Sequence, residues 1–402
     1  MKNYIFKNHI QLKHAILFLF IIFLIACSDT NTNDTITTND NNVSIEIIST
    51  VSEEENITVT QDTNNTETNT STPNTEELPT LASIHDSLLD YLKKMQFGTK
   101  GDNLWTKPNS NNQKKVKDIV NDILNQHYIR AHNKAKELDG ELIEFNDEDK
   151  IYYVLHLGLN RLNTNNYTAS GGTYVFYPAG KNSAIQVPHP SFDSYTNIEG
   201  VEAYLALGSK YLLLSGTHRK SSDKASPCQS SYSSYYKESD ASHNSEHYFL
   251  NVHQVLSIQN TNTLFIELHG FGSKTRKKLW SQCNIDQNQN LVNLSEGTGD
   301  LNNSMFIQIL HQELTDNSNI KSCIYSPQNN HSIQDIYTSS LGGTQNTSGR
   351  FTNGTSNICT SASSTSSHRF IHIEQSYQIR RDLRTNMIQA LKNAQKAYLE
   401  GQ

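Results

Sequence analysis

Strand and helix patterns alternate along residues 171 to 214, which read GGTYVFYPAGKNSAIQVPHPSFDSYTNIEGVEAYLALGSKYLLL. Two runs, Thr173 to Tyr177 and Ala184 to Val187, have the length and the residue types of strands. A helix begins at Thr196, where the threonine and the glutamate three residues later fit a capping box. A short apolar run, Tyr211 to Leu214, follows as a buried strand. Strands that alternate with helices are typical of an α/β domain with a mostly parallel sheet.

The same alternation continues to the end of the chain. Its spacing predicts three helices over Asp240–Leu256, Asn302–Leu314 and Gln378–Leu399, and three strands over Leu264–Leu268, Ile320–Tyr325 and Phe370–Ile373. We therefore expect a mostly parallel sheet flanked by helices, a phosphorylase/hydrolase-like arrangement. Such sheets bind their ligands at the carboxyl ends of the strands.

Three further apolar patterns with helical spacing precede this domain. They cover Leu81–Met95, Val116–Leu138 and Asp147–Leu162. We interpret residues 81–165 as a helical prefix that packs against an α/β metallohydrolase-like domain over residues 166–402.

The beginning of the chain has the pattern of an export signal. Lys2, Lys7 and Lys13 precede an uncharged apolar run from Ala15 to Ala26. That run is shorter than the roughly 20 residues that a membrane-spanning helix needs. Residues 1–26 are therefore predicted to be a signal peptide rather than a permanent membrane span.

The signal ends at Leu24-Ile25-Ala26-Cys27, which resembles the lipobox of bacterial lipoproteins. The resemblance implies cleavage before Cys27 and a diacylglyceryl group on its sulfur, and several acyl chains anchor a protein stably to a membrane. Because Ser28 and not aspartate follows the cysteine, we expect a cell-envelope protein of the outer membrane. The alternative is an ordinary signal peptide that happens to contain a cysteine.

The following residues, 27–80, are rich in Asn, Thr and acids and poor in apolar side chains, a composition typical of a disordered tether. The chain has 402 residues with 33 Lys and Arg and 40 Asp and Glu. Three of those lysines lie in the signal and eleven of the acids in the tether, which leaves 30 basic and 29 acidic residues. Such a near-neutral remainder argues against a nucleic-acid partner, which needs a basic surface.

Four cysteines lie beyond the tether, at positions 228, 283, 323 and 359. Export would place them where disulfides form. Four cysteines allow three pairings, and the sequence leaves all three open. None of them belongs to a CxxC pair, which argues against a structural zinc site built from cysteines.

Side chains that can bind a metal follow three of the predicted strands. His189 and Asp193 come after the strand that ends at residue 187. His269 follows the predicted strand Leu264–Leu268, and Glu267 in that strand lies on the same face as His269. Glu374 ends a late strand. A catalytic zinc keeps three protein ligands and one open position, lowers the pKa of a water molecule to roughly 7 and polarises a carbonyl. We expect His189, Asp193 and His269 to bind zinc, Glu374 to act as the general base, and Glu267 to support His269.

These residues resemble the zinc-carboxypeptidase-like hydrolases, with N-formylglutamate amidohydrolases and poly-gamma-glutamate hydrolases as relatives. The similarity lies in three short stretches: a histidine and a carboxylate after one strand, a histidine after a second strand in Ile266–Gly270, and a glutamate that ends a late strand in Phe370–Glu374. The resemblance covers the chain from Gly171 to the terminal helix. It implies the same three ligands and the same base. The chain departs from the His-x-x-Glu spacing of carboxypeptidases, since Asp193 stands four residues after His189.

Because of that departure, Glu199 and His218 remain alternatives for the second metal ligand. Arg219 follows an apolar strand and is predicted to hold a substrate carboxylate or an oxyanion. His218 is also a candidate to contact substrate, as are His243 and Asn244, which lie near the start of a predicted helix where anions bind. The Ser-, Thr-, Gly- and Asn-rich stretch from residue 339 to 367 is expected to be exposed surface rather than a lid.

Together these patterns predict a lipid-anchored zinc-dependent hydrolase of amide or peptide bonds in a small substrate that carries a carboxylate. Three alternatives remain open. The first is a non-catalytic surface lipoprotein that binds solutes or glycans, and the second is a metal-dependent esterase or phosphoesterase. The third is a purely structural lipoprotein.

Overall fold

The computed structural model describes residues 80–401 except 164, 230–235, 284, 287–288, 319 and 328–335. The predicted signal peptide, the predicted lipidation site at Cys27 and nearly all of the predicted tether lie outside these residues. Within the described ranges, we find no helix with the length and apolar character needed to cross a membrane.

Eleven described strands form one mixed sheet in the order β1-β2-β3-β4-β6-β5-β7-β11-β8-β9-β10. The predicted α/β fold with a mostly parallel sheet is confirmed. The strands are β1 (Ala82–His85), β2 (Glu141–Asp147), β3 (Lys150–Arg161), β4 (Tyr167–Phe176), β5 (Lys181–Val187), β6 (Ser209–Leu214), β7 (Leu264–Gly270), β8 (Leu291–Ser295), β9 (Lys321–Tyr325), β10 (Tyr337–Thr338) and β11 (Phe370–Gln375).

The centre of the sheet is parallel. Strand β5 pairs in parallel with β6 and β7, and β7 pairs in parallel with β11. Antiparallel pairs lie on both sides, since β4 runs against β3 and β6, and β8 runs against β11. The carboxyl ends of β5, β7 and β11 therefore lie next to one another at one edge of the sheet.

Helices cover both faces of this sheet. They are α1 (Leu88–Lys93), α2 (Ser110–Leu124), α3 (Tyr128–Lys136), α4 (Thr196–Leu207), α5 (Tyr248–Gln259), α6 (Ser273–Gln282), α7 (Met305–Gln312, continued by a π-helical turn over Glu313–Asn317), α8 (Thr347–Thr352), α9 (Tyr377–Asp382) and α10 (Arg384–Glu400).

The two hydrophobic cores follow the alternation of side chains along the central strands. Ile185 and Ile266 belong to the core shared with α4, α7 and α10. Ala184 and Phe265, one residue earlier on each strand, belong to the core shared with α2, α3 and α5. Because both faces are buried, these strands are apolar throughout, as expected for parallel strands.

One helix prediction is wrong. Residues Asp147–Leu162 were expected to form a helix, but the structure has the long strand β3 there. Tyr152 and Val154 face one core, while Leu155 and Leu157 face the other, so burial on both faces hides the period of two. The β-branched and aromatic run at residues 151–154 was the signal for a strand.

The remaining prefix also differs from its prediction, because it supplies β1, β2 and β3 to the same sheet. Strand β1 precedes the short helix α1 within Leu81–Met95. The expected helix over Val116–Leu138 is two helices, and α2 ends where Gln126 takes a positive φ of 62°.

The bounds of two helices differ from their predictions, and one predicted cap is absent from a helix that begins where expected. The helix expected from Asp240 begins only at Tyr248, because the His247 side chain accepts a hydrogen bond from the Phe249 amide and so caps α5 there. The helix expected over Gln378–Leu399 is interrupted at Leu383. The capping box at the start of α4 does not form, since Thr196 lies inside the helix and its hydroxyl donates to the carbonyl of Asp193.

The structure also selects one pairing of the four cysteines. Cys228 bonds to Cys359, and Cys283 bonds to Cys323. The first disulfide joins the loop after β6 to the segment before β11. The second joins the end of α6 to β9. Both therefore fasten chain segments that approach the carboxyl ends of the central strands.

Candidate metal centre

The three strand ends singled out in the sequence meet in the structure. Glu374 of β11 is the direct partner of His269 on β7. Gln186 of β5 is the partner of Glu267 on β7, and His189 lies just beyond the end of β5. Parallel pairing in this register brings side chains from three separate parts of the sequence to one place.

Asp193 lies between two histidines. Its Oδ2 is 3.4 Å from Nδ1 of His189 and 3.3 Å from Nδ1 of His269. All three side chains are buried. Tetrahedral bonds of roughly 2.0–2.2 Å to zinc separate neighbouring ligand atoms by about 3.3–3.6 Å. Both of these separations fit a tetrahedral ion, and the ligand atoms of the three side chains lie within 4.8 Å of one another, so this group can hold a metal ion.

The far nitrogen of each histidine is held by a second carboxylate. Nε2 of His189 lies 2.8 Å from Asp240, and Nε2 of His269 lies 2.7 Å from Glu267, as expected for Glu267. An acceptor at Nε2 favours the proton on that nitrogen and leaves Nδ1 as the one that can bind a metal. The buried Nδ1 of His189 has no hydrogen-bond partner among the described residues.

The charges of this group favour a cation. Burial tends to raise the pKa of Asp193, but its contacts with His189 and His269 outweigh burial and hold the pKa well below its ordinary value. For His269, burial tends to lower the pKa, yet the bonds to Asp193 and Glu267 raise it to about 10. Asp193 is thus ionised between two imidazoles, and the positive charge it attracts is the charge that a metal ion would supply.

Two neighbouring groups could compete for a metal. One consists of His189, Asp240 and His243, and the other of His269, His372 and Glu374. Asp240 already forms an ion pair with Arg219, so a cation bound there would be repelled by the guanidinium. Among the described residues, no lysine or arginine forms an ion pair with Asp193. The group around Asp193 is therefore a better candidate for the metal than the group around Asp240, and it is the group that the sequence predicts.

A cavity of about 480 Å³ opens beside these ligands. His189, His269, Glu374, Arg219 and His243 contribute to its lining. This volume is typical of a site for a small ligand. The predicted base and the predicted anion-binding arginine therefore share one cavity with the metal ligands.

Glu374 has the environment of a proton-transfer group. Its Oε2 is buried and has no hydrogen-bond partner in the part of the chain that is described. Burial raises the pKa of Glu374 to about 7, although the charge of His269 acts in the opposite direction. Neither of the two arginines that follow in the sequence pairs with Glu374, since Arg380 bonds to Ser194 and Arg381 to Asp382.

Arg219 and His243 approach the cavity from the loops after β6. The Arg219 guanidinium donates to Asp240, and it also lies 5.1 Å from the ring centre of Phe192. Nδ1 of His243 is 3.0 Å from Asp240. Asp240 therefore connects both residues to His189, and only part of the guanidinium is left to face a ligand.

Three other candidates lie apart from the metal group. His218 packs against Phe192 and accepts a hydrogen bond from the Lys220 amide, and Asn244 donates to the carbonyl of Glu238. Neither belongs to the described lining of the cavity, so the structure gives no support to their predicted contact with substrate. Glu199 accepts a hydrogen bond from Gln375 at 2.9 Å. Of the three alternatives for the second ligand, only Asp193 is in place.

One wall of the cavity differs from its prediction. Residues 339–346, here called the covering segment, were expected to be exposed, but all eight of them line the cavity. The amide of Asn293 donates to the carbonyls of Ser340 and Leu341, and the hydroxyl of Ser295 donates to the carbonyl of Gly342. Polar side chains in the otherwise apolar strand β8 were the signal for this contact.

Asn346 ends the covering segment and has two partners. Its Nδ2 donates to Glu267, and its Oδ1 accepts from the Gly349 amide and caps α8. Gly343 lies against the ring of His372 with a φ of 62°, so a side chain there would be both strained and obstructed. The segment is thereby fixed against the strands that carry His269 and Glu374.

A search of protein-family models and of curated proteins found no match to this chain. The function is therefore argued from the chemistry of the site. Buried histidine and acidic side chains form a group that can hold a metal ion, beside a cavity with a carboxyl group of raised pKa.

Proposed function

We propose that this protein is a zinc-dependent hydrolase of amide or peptide bonds in a substrate that carries a carboxylate. One observation supports the proposal above all. Nδ1 of His189 and Nδ1 of His269 each lie 3.3–3.4 Å from Oδ2 of Asp193, and a carboxyl oxygen of Glu374 with no hydrogen-bond partner among the described residues lies in the same buried site.

The ligand set favours zinc over the hard cations. Two imidazole nitrogens and one carboxylate oxygen suit zinc, whereas magnesium and calcium prefer oxygen ligands. Three protein ligands would leave one position free for water or substrate, which is the arrangement of catalytic rather than structural zinc. A zinc ion there would polarise a carbonyl group and lower the pKa of a water molecule.

Glu374 would move the proton. A group with a pKa of about 7 is populated in both protonation states at neutral pH, so it can take a proton from water and return it to a leaving amine. The oxygen that would do so, Oε2, makes no other hydrogen bond among the described residues.

Arg219 would bind the negative charge of the substrate. Its guanidinium has five N–H donors, and Asp240 accepts from one of its terminal nitrogens. The Arg219 side chain remains 20% exposed toward the cavity. The remaining donors can hold a carboxylate or a developing oxyanion.

The choice of amide bonds rests on the resemblance to zinc-carboxypeptidase-like hydrolases, and so does membership of that group. The geometry supports hydrolysis at a carbonyl, but esters have the same requirement. A screen of amide, peptide, ester and phosphoester substrates decides between them, and turnover of esters or phosphoesters alone would overturn the amide assignment.

We also propose that lipid on Cys27 anchors the protein in the cell envelope, in the outer membrane. The support is the lipobox-like sequence. Mass spectrometry of the N-terminal peptide from the native host should find acyl groups on Cys27. A Cys27→Ser variant should appear in the soluble fraction, and membrane attachment that survives this change would contradict the proposal.

The decisive experiment on function measures metal and turnover together. We expect elemental analysis to find close to one zinc ion per chain. His269→Ala should lose the metal. Glu374→Gln should keep the metal, with turnover reduced by at least a hundredfold. His253→Ala is the matched control, because His253 is also buried but contacts Gln186 and Thr352 outside the cavity. Stoichiometric zinc in His269→Ala, or full turnover in Glu374→Gln, would overturn the assignment.

A further inference from the structure

A buried arginine contacts the segment that carries Asp193. Arg380 of α9 is 4% exposed, and its Nη1 donates to the backbone carbonyl of Ser194. Ser194 is the residue directly after Asp193. The backbone that fixes the position of this proposed ligand is therefore held from α9, which lies far from it in the sequence.

The same guanidinium contacts the segment that carries His269. Gly270, the next residue, has no side chain, and a Cβ built on it would overlap the central carbon and two nitrogens of the Arg380 guanidinium. Alternation along β7 places this contact on the face opposite His269. One planar group therefore touches the residues that directly follow two of the proposed metal ligands.

A guanidinium suits this task better than an apolar side chain would. It is flat enough to lie over a glycine, and its N–H groups point in fixed directions toward a carbonyl. Removing such a charge from water is costly. The carboxyl of Glu199 lies nearby: burial raises its pKa, and the charge of Arg380 acts in the opposite direction. The position therefore specifies both the shape and the donor of an arginine.

We infer that Arg380 is a positioning residue that holds Asp193 and His269 at metal-binding separation from beneath the site. This inference rests on the proposed metal centre. It also gives Gly270 a defined role, since only glycine leaves room for the guanidinium to reach Ser194.

The structure provides two independent ways to break the contact. Arg380→Gln removes the guanidinium. Gly270→Ala leaves Arg380 intact but inserts a methyl group into its place, and Gly270 has no positive φ that alanine would strain. Changes to residues that orient metal ligands typically weaken metal binding by 10- to 100-fold. We expect each variant to bind Zn²⁺ at least tenfold more weakly, and the double variant to be no weaker than Arg380→Gln.

Matched controls exist for both changes. Arg381→Gln alters the neighbouring arginine, which is exposed and pairs with Asp382. Gly272→Ala adds a methyl group where a Cβ would meet no other atom within 4 Å. Both controls should bind Zn²⁺ within twofold of the unaltered protein.

The test is competition titration of the purified full chain with Zn²⁺ and a chelator, together with the visible spectrum of the Co²⁺-loaded protein. A role in positioning predicts that Arg380→Gln alters the Co²⁺ spectrum at saturation. It also predicts that the change has a smaller effect on affinity in an Asp193→Ala background, because one of the two ligands that Arg380 positions is gone. General loss of stability would weaken binding equally in both backgrounds.

The unaltered protein could bind Zn²⁺ while Arg380→Gln and Gly270→Ala bind it with an affinity within twofold of the unaltered value. That result would overturn the positioning role but not the metal centre. An equal loss in the controls, or an undiminished loss in the Asp193→Ala background, would do the same. Failure of the unaltered chain to bind Zn²⁺ or Co²⁺ would overturn both proposals.

Discussion

Replacing Glu199 with glutamine should remove a pH-dependent loss of stability. Glu199 is fully buried, and burial raises its pKa from 4.5 to about 7 despite the hydrogen bond from Gln375. Between these two pH values the folded protein binds more protons at this carboxyl than the unfolded chain does. The free energy of unfolding therefore falls as pH rises through this window.

The size of the effect follows from the two pKa values of Glu199. At about 1.4 kcal/mol per pH unit, the difference between 4.5 and about 7 corresponds to about 3 kcal/mol. Glutamine keeps an oxygen that can accept from Gln375 and carries no charge at any pH. The variant should thus gain stability relative to the unaltered protein as pH rises from 5 to 8.

The assay is urea unfolding of both proteins at several pH values over that range. Their difference in unfolding free energy should change by about 2.5 kcal/mol between pH 5 and 8, and Glu148→Gln, the same change at an exposed residue, is the matched control. The same Glu199→Gln protein should bind Zn²⁺ normally, since Glu199 is not in the metal group. A stability difference that does not vary with pH, or a large loss of metal affinity, would refute this reasoning.

Two further predictions concern the support of the site. Glu267→Gln removes the charge that holds Nε2 of His269 and should weaken Zn²⁺ binding about tenfold in a chelator competition, with unchanged affinity as the contrary result. Replacing both cysteines of the Cys228–Cys359 disulfide, which are 131 residues apart, should lower the free energy of unfolding by up to about 5 kcal/mol. Chemical unfolding measures this loss, and an undiminished free energy would contradict it.

The central strands and their polar ends could be predicted because local patterns specify them. Apolar runs of strand length predicted β5, β7 and β11, and each is followed or ended by a polar residue that lies near the cavity. Parallel pairing then brings those ends together, which is a general property of such sheets. The sequence could therefore predict four residues of the site: His189, Asp193, His269 and Glu374.

The rest depended on contacts between distant residues. Asp240 looked like the first residue of a helix, but it lies 51 residues after His189 and binds its Nε2. Arg380 showed no local pattern that would connect it to Ser194. Strand β3 lost its period of two because both of its faces are buried. Such features follow from packing, and no short window of sequence contains them.

Asn346 gives the low-complexity region around it an unexpected constraint. The residue caps α8 with one side-chain atom and with another supports Glu267, which in turn holds His269. A single inserted residue between Ser340 and Asn346 would shift this amide by up to about 3.3 Å along the chain, beyond the reach of Glu267, while the cap on α8 would move with it because Gly349 follows Asn346. A repetitive-looking stretch would thus tolerate almost no change in length, and homologous chains that share the site should keep the spacing of these seven positions even where their letters differ.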